Sequence, residues 1–145
     1  MESKKLYGAS TQMTPAVYKY FYKTYYNEKL KVFKIVAEIV GLIAIFGAFL
    51  LFYPRMIYRK PYKNAKDNSQ TTHFAFFENY MSEKTKSHVN EYKYDDIQKV
   101  LETGKYFFIF HNSESVSIVD KTHFSGDVES FSGFIKTKTQ YKKIK

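Results

Sequence analysis

The sequence holds no cysteine and no tryptophan, and its 145 residues include only six glycines and three prolines. Without thiols, disulfides and thiolate metal sites are excluded. The glycines stand singly, so there is no glycine-rich loop of the kind that cradles a phosphate. Acidic residues are also short, at 14 Asp and Glu against 23 Lys and Arg, which leaves a net charge of +9. That excess favours anionic partners, without choosing between lipid, nucleic acid and acidic protein. Aromatic residues are plentiful: 14 Tyr and 14 Phe make up 19% of the chain. This much ring surface must be buried or sit at an interface. The length suits one domain, or a membrane segment with a small domain attached.

One stretch stands apart. From Ile35 to Tyr53 the chain has 19 residues and one charge, Glu38. As a helix this run would be roughly 28 Å long, close to the ~30 Å hydrocarbon thickness of a bilayer. Twelve of its residues are Ile, Val, Leu or Phe, which favour insertion by roughly 4 to 7 kcal/mol. Glu38 lies near one edge, where its cost is reduced, one turn from Lys34. Tyr53 and Tyr58 follow at the interface position, with Pro54 at the exit. The pattern predicts one transmembrane helix, with a helix buried in a soluble core as the competing reading. Arg55, Arg59, Lys60, Lys63 and Lys66 are then expected to contact the membrane surface, with anionic lipid as partner. Ala37, Gly41, Ala44 and Ala48 form a small-residue stripe suited to helix association, hence to a homo-oligomer.

The flanking segments differ in pattern. KKLYGAS near the start reads as a short strand broken at Gly8. Met13 to Lys34 reads as an amphipathic helix opened by Thr14 and Pro15, with Tyr18, Phe21, Tyr22 and Tyr25 at helical spacing. Asn64 to Gln70 reads as a polar linker. Beyond it, four strands are expected at His73–Met81, His88–Ile97, Tyr106–Asn112 and Ser115–Lys121. The third, nearly all apolar, should be central, and the last two should form a hairpin around Asn112–Glu114. In DVESFSGFIKTKTQ, Val128, Phe131, Phe134 and Ile135 recur at helical spacing behind Asp127. The expected fold is α+β: an N-terminal helix continuing into one transmembrane helix, then a small antiparallel sheet closed by a C-terminal amphipathic helix. The corresponding segments are residues 1–31, 32–60, 61–71 and 72–145.

The order of a tyrosine-rich lead, an apolar block ending FYPR, then HFAFFENYM, EYKYDDIQKVLETGKYFFIF and SIVDKTHF resembles the YcxB-like family of small bacterial membrane proteins. The likeness covers most of the chain and is best over Thr72 to Lys136. Its marks are Tyr94 with Ile97, Glu102-Thr103 before the central strand, and Lys121 after the fourth. The resemblance implies a pleckstrin-homology-like C-terminal domain and carries no active site. It also implies two membrane spans, whereas this apolar block is long enough for only one. Five basic residues precede the block and five follow it, so charge does not set the orientation. The family analogy places the C-terminal domain at the cytoplasmic face.

Chemical motifs are few. His73, His88, His111 and His123 fall in separate strands or loops, with no metal-ligand spacing. Asp95-Asp96 reads as a strand end or turn rather than an acid–base pair. Ser113, Ser115 and Ser117 lack a nucleophile context. No catalytic residue, metal or cofactor is expected. Lys136, Lys138, Lys142, Lys143 and Lys145 form a second basic cluster, read as a solvated helix end and tail. Nucleic acid is a weaker candidate than a protein or peptide partner, because core packing accounts for the aromatics. The function expected is a non-enzymatic binding or scaffold module held at the membrane. The alternatives are a small immunity or stress-protection protein acting within the membrane, and a soluble binding protein with a buried apolar helix.

Overall fold

The structure is a computed structural model that describes residues 4–40, 70–111 and 115–144. The chain divides into two compact units: residues 1–12 with 70–145, and residues 13–69.

In the first unit the strands are β1 (Tyr7–Gln12), β2 (Thr71–Phe76), β3 (Tyr80–Lys84), β4 (Val89–Lys93), β5 (Lys99–Glu102), β6 (Tyr106–Phe110), β7 (Val116–Asp120), β8 (Phe124–Ser125) and β9 (Tyr141–Lys143). Helix α2 (Val128–Lys138) lies between the last two strands. Two sheets form, in the orders β4-β3-β2-β1-β8 and β7-β6-β5-β9. All pairings are antiparallel except β5 with β9. This corrects the expected single antiparallel sheet, and the cause is local. The stretch from His73 to Met81 turns where the Phe77 N–H donates to the Tyr80 carbonyl, giving two strands instead of one. β4 stops at Lys93 because Tyr94 buries its ring and donates its hydroxyl to the Phe77 carbonyl at 2.9 Å, pulling the chain into a 3-10 turn at Tyr94–Asp96. Asp95 and Asp96 sit exposed in that turn. β1 runs straight through Gly8 and pairs along its length with β2.

β6 is interior to its sheet, as its apolar run predicts. Phe107 and Ile109 enter the main core, while Phe108 and Phe110 on the opposite face are buried as well. Burial on both faces removes the need for polar alternation. The core gathers on α2. Asp127 caps the helix by accepting the Ser130 N–H at 2.7 Å. Just before it, Gly126 turns the chain at φ 117°, a conformation that suits glycine. Phe131 then meets Tyr7, Phe76, Phe107 and Phe124 at ring-centre distances of 5.2, 4.6, 5.0 and 4.8 Å. Ile135 is fully buried beside it, and Val128 and Phe134 pack on the same cluster. The helical spacing of these four residues reads correctly.

In the second unit, α1 runs Pro15–Val40. Thr14 Oγ1 accepts the Val17 N–H at 3.4 Å, and Pro15 occupies the first helical position, the start that the sequence predicts. Phe21 stacks with Tyr25 and Tyr22 with Tyr26, one turn apart in each case.

The transmembrane helix, and with it the single-pass membrane location, is corrected here. Among the described residues no helix is long and apolar enough to cross a membrane. α1 has the length, but it carries Lys19, Lys23, Glu28, Lys29, Lys31, Lys34 and Glu38. Each charge costs about 2.5–3.5 kcal/mol at a bilayer centre, which outweighs the apolar gain. The rest of the apolar run, Gly41 to Tyr53, lies outside the described residues. So do Ala44, Ala48, Arg55, Arg59, Lys60, Lys63 and Lys66; Ala37 lies in α1.

Candidate functional site

Two polar clusters are built into the two-sheet unit. The first centres on Glu102, the last residue of β5. Its side chain is 3% exposed. β5 runs between β6 and β9, so the carboxylate is enclosed by the ends of neighbouring strands and by α2. Oε1 takes Lys121 Nζ at 2.6 Å and Lys143 Nζ at 3.2 Å. Oε2 accepts the Ser132 hydroxyl at 2.9 Å and the Tyr141 hydroxyl. Burial pushes the Glu102 carboxyl upward, but hydrogen bonds from Lys121, Ser132 and Lys143, with the Lys121 charge, outweigh it and hold it below its ordinary value. A carboxylate offers about four acceptor positions, and four donors fill them here. Ser132 shares its one proton with the Val128 carbonyl, also at 2.9 Å, while the two lysines and Tyr141 hold the rest of the carboxylate, an arrangement that favours a structural role. Lys121 also lies over the Phe107 ring at 4.6 Å.

The second cluster joins the two sheets. His111, at the end of β6, places Nε2 2.7 Å from Ser117 Oγ on β7, and the Ser117 hydroxyl donates to the Glu83 carboxylate on β3. Tyr92 of β4 stacks on the imidazole with ring centres 3.7 Å apart and an angle of 20°. His111 is 9% exposed, and its Nδ1 is buried with no hydrogen-bond partner among the described residues. Burial pushes its pKa down to about 4.

Proton counting fixes the chemistry of this chain. Ser117 has one hydroxyl proton, and it points to Glu83. The contact with His111 therefore requires the imidazole to donate through Nε2–H, leaving a bare lone pair on Nδ1. A nucleophilic serine needs the reverse: the imidazole accepts the hydroxyl proton and an acid orients its other nitrogen. Here the hydroxyl sits in the middle and the imidazole at the end. In this arrangement the imidazole is a donor to the serine and does not act as its base.

The other sequence candidates do not converge on either cluster. His73 is on β2, His88 bonds locally with Thr85 and Ser87 in the β3–β4 turn, and His123 bonds with Thr122 and Asp120. Among the described residues no three His, Asp or Glu side chains are grouped to hold a metal ion. Thr103 builds the β5–β6 turn, accepting the Lys105 and Tyr106 N–H groups. Of the basic tail, Lys143 turns inward to Glu102 and Lys138 reaches Glu78 at 3.2 Å, so this segment is tied down rather than fully solvated. Sequence reading missed the short strands β5, β8 and β9 and the role of Glu83. Strands of two to four residues leave little pattern, and a contact spanning 34 residues leaves none.

No curated protein and no solved structure is significantly similar to the chain. The family model described as YcxB-like protein matches residues 76–141, from the last residue of β2 to the first of β9. Glu83, Tyr92, Glu102, His111, Ser117 and Lys121 all lie inside that match, and over this region the chain is similar to the YcxB-like family.

Proposed function

We propose that the chain is a non-enzymatic binding module whose two-sheet unit takes an acidic segment of a protein partner at the lysine-bearing end around Glu102. The observation that carries this reading is the imbalance at that end. Lys121 and Lys143 converge on one buried carboxylate, so the cluster keeps a surplus positive charge. Lys143 is 67% exposed there and uses only part of its donor capacity on Glu102. Lys105 and Lys142 are exposed nearby, on the β5–β6 turn and on β9. Glu102 fixes Lys143 in place, which lowers the entropy lost when the ammonium meets a partner's carboxylate. The filled acceptor positions of Glu102 and the inverted order of His111 and Ser117 support binding rather than turnover.

Anisotropy of a labelled oligoglutamate peptide tests this. It should bind with an affinity that falls as salt rises, and reversing Lys142 and Lys143 to Glu should weaken binding about 10-fold or more. Unchanged affinity in the reversed variant removes the site. Tighter capture of a labelled RNA oligonucleotide at the same salt removes the partner class.

A further inference from the structure

Side chains from both strands of the β3–β4 hairpin meet at His111. From β3 comes Glu83, through Ser117; from β4 comes Tyr92, flat on the ring; from β7 comes Ser117 itself. Burial, the Glu83 charge and a hydrogen bond from Asn90 act on the Tyr92 hydroxyl, and the net effect raises its pKa, so it stays neutral well above pH 7. This chain ties the hairpin to the β6–β7 end.

We propose that His111, Ser117 and Glu83 form a proton-operated latch between the two sheets. Neutral imidazole closes it: Nε2–H donates to Ser117, whose hydroxyl donates to Glu83, and Nδ1 is left buried and bare. Protonation adds an N–H at Nδ1, where no acceptor is found among the described residues. A buried imidazolium with an unmet donor is costly. It is relieved when the ring swings toward water, which parts Tyr92 and Glu83 from β6 and β7. The outer part of the β3–β4 hairpin is then loosened, while Met81 and α2 stay in the core. The proton comes from solvent and returns to it, so closing and opening are balanced by one proton.

The sign follows from the buried ring. Its pKa is about 4 when closed and about 6.5 in an open or unfolded chain, so the open form binds more protons between those limits. The closed state is therefore fully favoured above pH 6.5 and weakens as pH falls toward 4. Between pH 7 and pH 5 the opening constant should rise about 20-fold.

Native-state hydrogen exchange on the full chain tests the latch, read as protection factors so that intrinsic exchange rates cancel. Amides of the outer part of the β3–β4 hairpin should lose about 20-fold protection between pH 7 and pH 5, while those of β6 and α2 lose less. The H111Q variant, whose side-chain amide still donates to Ser117 but does not titrate, should show no such loss. Carbon-13 NMR of the His111 ring in the wild-type protein should titrate well below 6. An ordinary ring pKa overturns the proposal, as does equal loss across both sheets or an undiminished pH response in H111Q.

Discussion

Glu102 and His111 are both buried, both titratable and both embedded where strand ends meet, yet they are solvated in opposite ways. Glu102 has more donors than a neutral neighbourhood would need, and its charge is held. His111 has one partner and an idle nitrogen, and its charge is refused. The contrast shows that burial alone does not set a group's protonation; the number and kind of partners does. It also assigns the two clusters different tasks. A saturated carboxylate locks β5, β9, α2 and Lys121 together. An unsaturated imidazole leaves one seam responsive to pH.

The largest way to break the comparison is Glu102→Ala. Removing the carboxylate strands Lys121, whose side chain is 13% exposed, takes the acceptor from the Tyr141 hydroxyl and leaves Ser132 only the Val128 carbonyl. Loss of one partner of a buried ion pair costs about 3–5 kcal/mol. Urea denaturation at pH 7 should show a loss in that range. A loss below about 1 kcal/mol would mean that the cluster is open to water and no lock.

Acid titration separates the two groups next. The Glu102 pKa is lowered in the folded state, so its contribution is present above the ordinary carboxylate range and disappears as pH falls through the folded value. His111 acts earlier, between about 6.5 and 4, and should remove on the order of 2 kcal/mol by pH 4.5. Stability against pH should therefore fall in two limbs. H111Q should flatten the upper limb and leave the lower, so that the variant, slightly less stable at pH 7, matches or exceeds the wild type near pH 5. A single limb in both proteins would erase the distinction.

How much of this was legible beforehand differs between the clusters for a physical reason. Phe131 and Ile135 announced α2 because helical periodicity is written in adjacent residues. β6 announced itself because five consecutive apolar residues need two buried faces. Glu102 and Lys121 stood out only through the family resemblance, and nothing in their spacing said that they touch. The pairing of His111 with Ser117 depends on hairpin register, and Glu83 arrives from another sheet, so neither is encoded locally. The predicted transmembrane helix failed for a different reason. Of the apolar run, only Ile35–Val40 are among the described residues, and they close the lysine-bearing helix α1, which is not apolar enough to cross a membrane.

Tyr94→Phe is a neutral control for both clusters. Its hydroxyl donates to the Phe77 carbonyl, and burial pushes its pKa far up, so it carries no charge in the acid range. Deletion should cost about 1 kcal/mol at every pH from 4 to 8, measured by denaturant midpoint. A pH-dependent cost would mean that its neighbourhood is coupled to one of the charged clusters.

The smallest effect tests how the surplus at Glu102 is shared. Lys143 is largely exposed and its contact with Oε1, at 3.2 Å, is longer than that of Lys121. Lys143→Ala alone should cost under about 1 kcal/mol, less still at high salt. In a Lys121→Met background the same change removes the last cation from a buried carboxylate, and its cost should grow by about 0.5–3 kcal/mol. That non-additivity is the signature of two lysines competing for one oxygen. If the two substitutions simply add, Lys143 contributes nothing to the lock, and the anchored ammonium on which acidic-partner binding rests is only a solvated side chain.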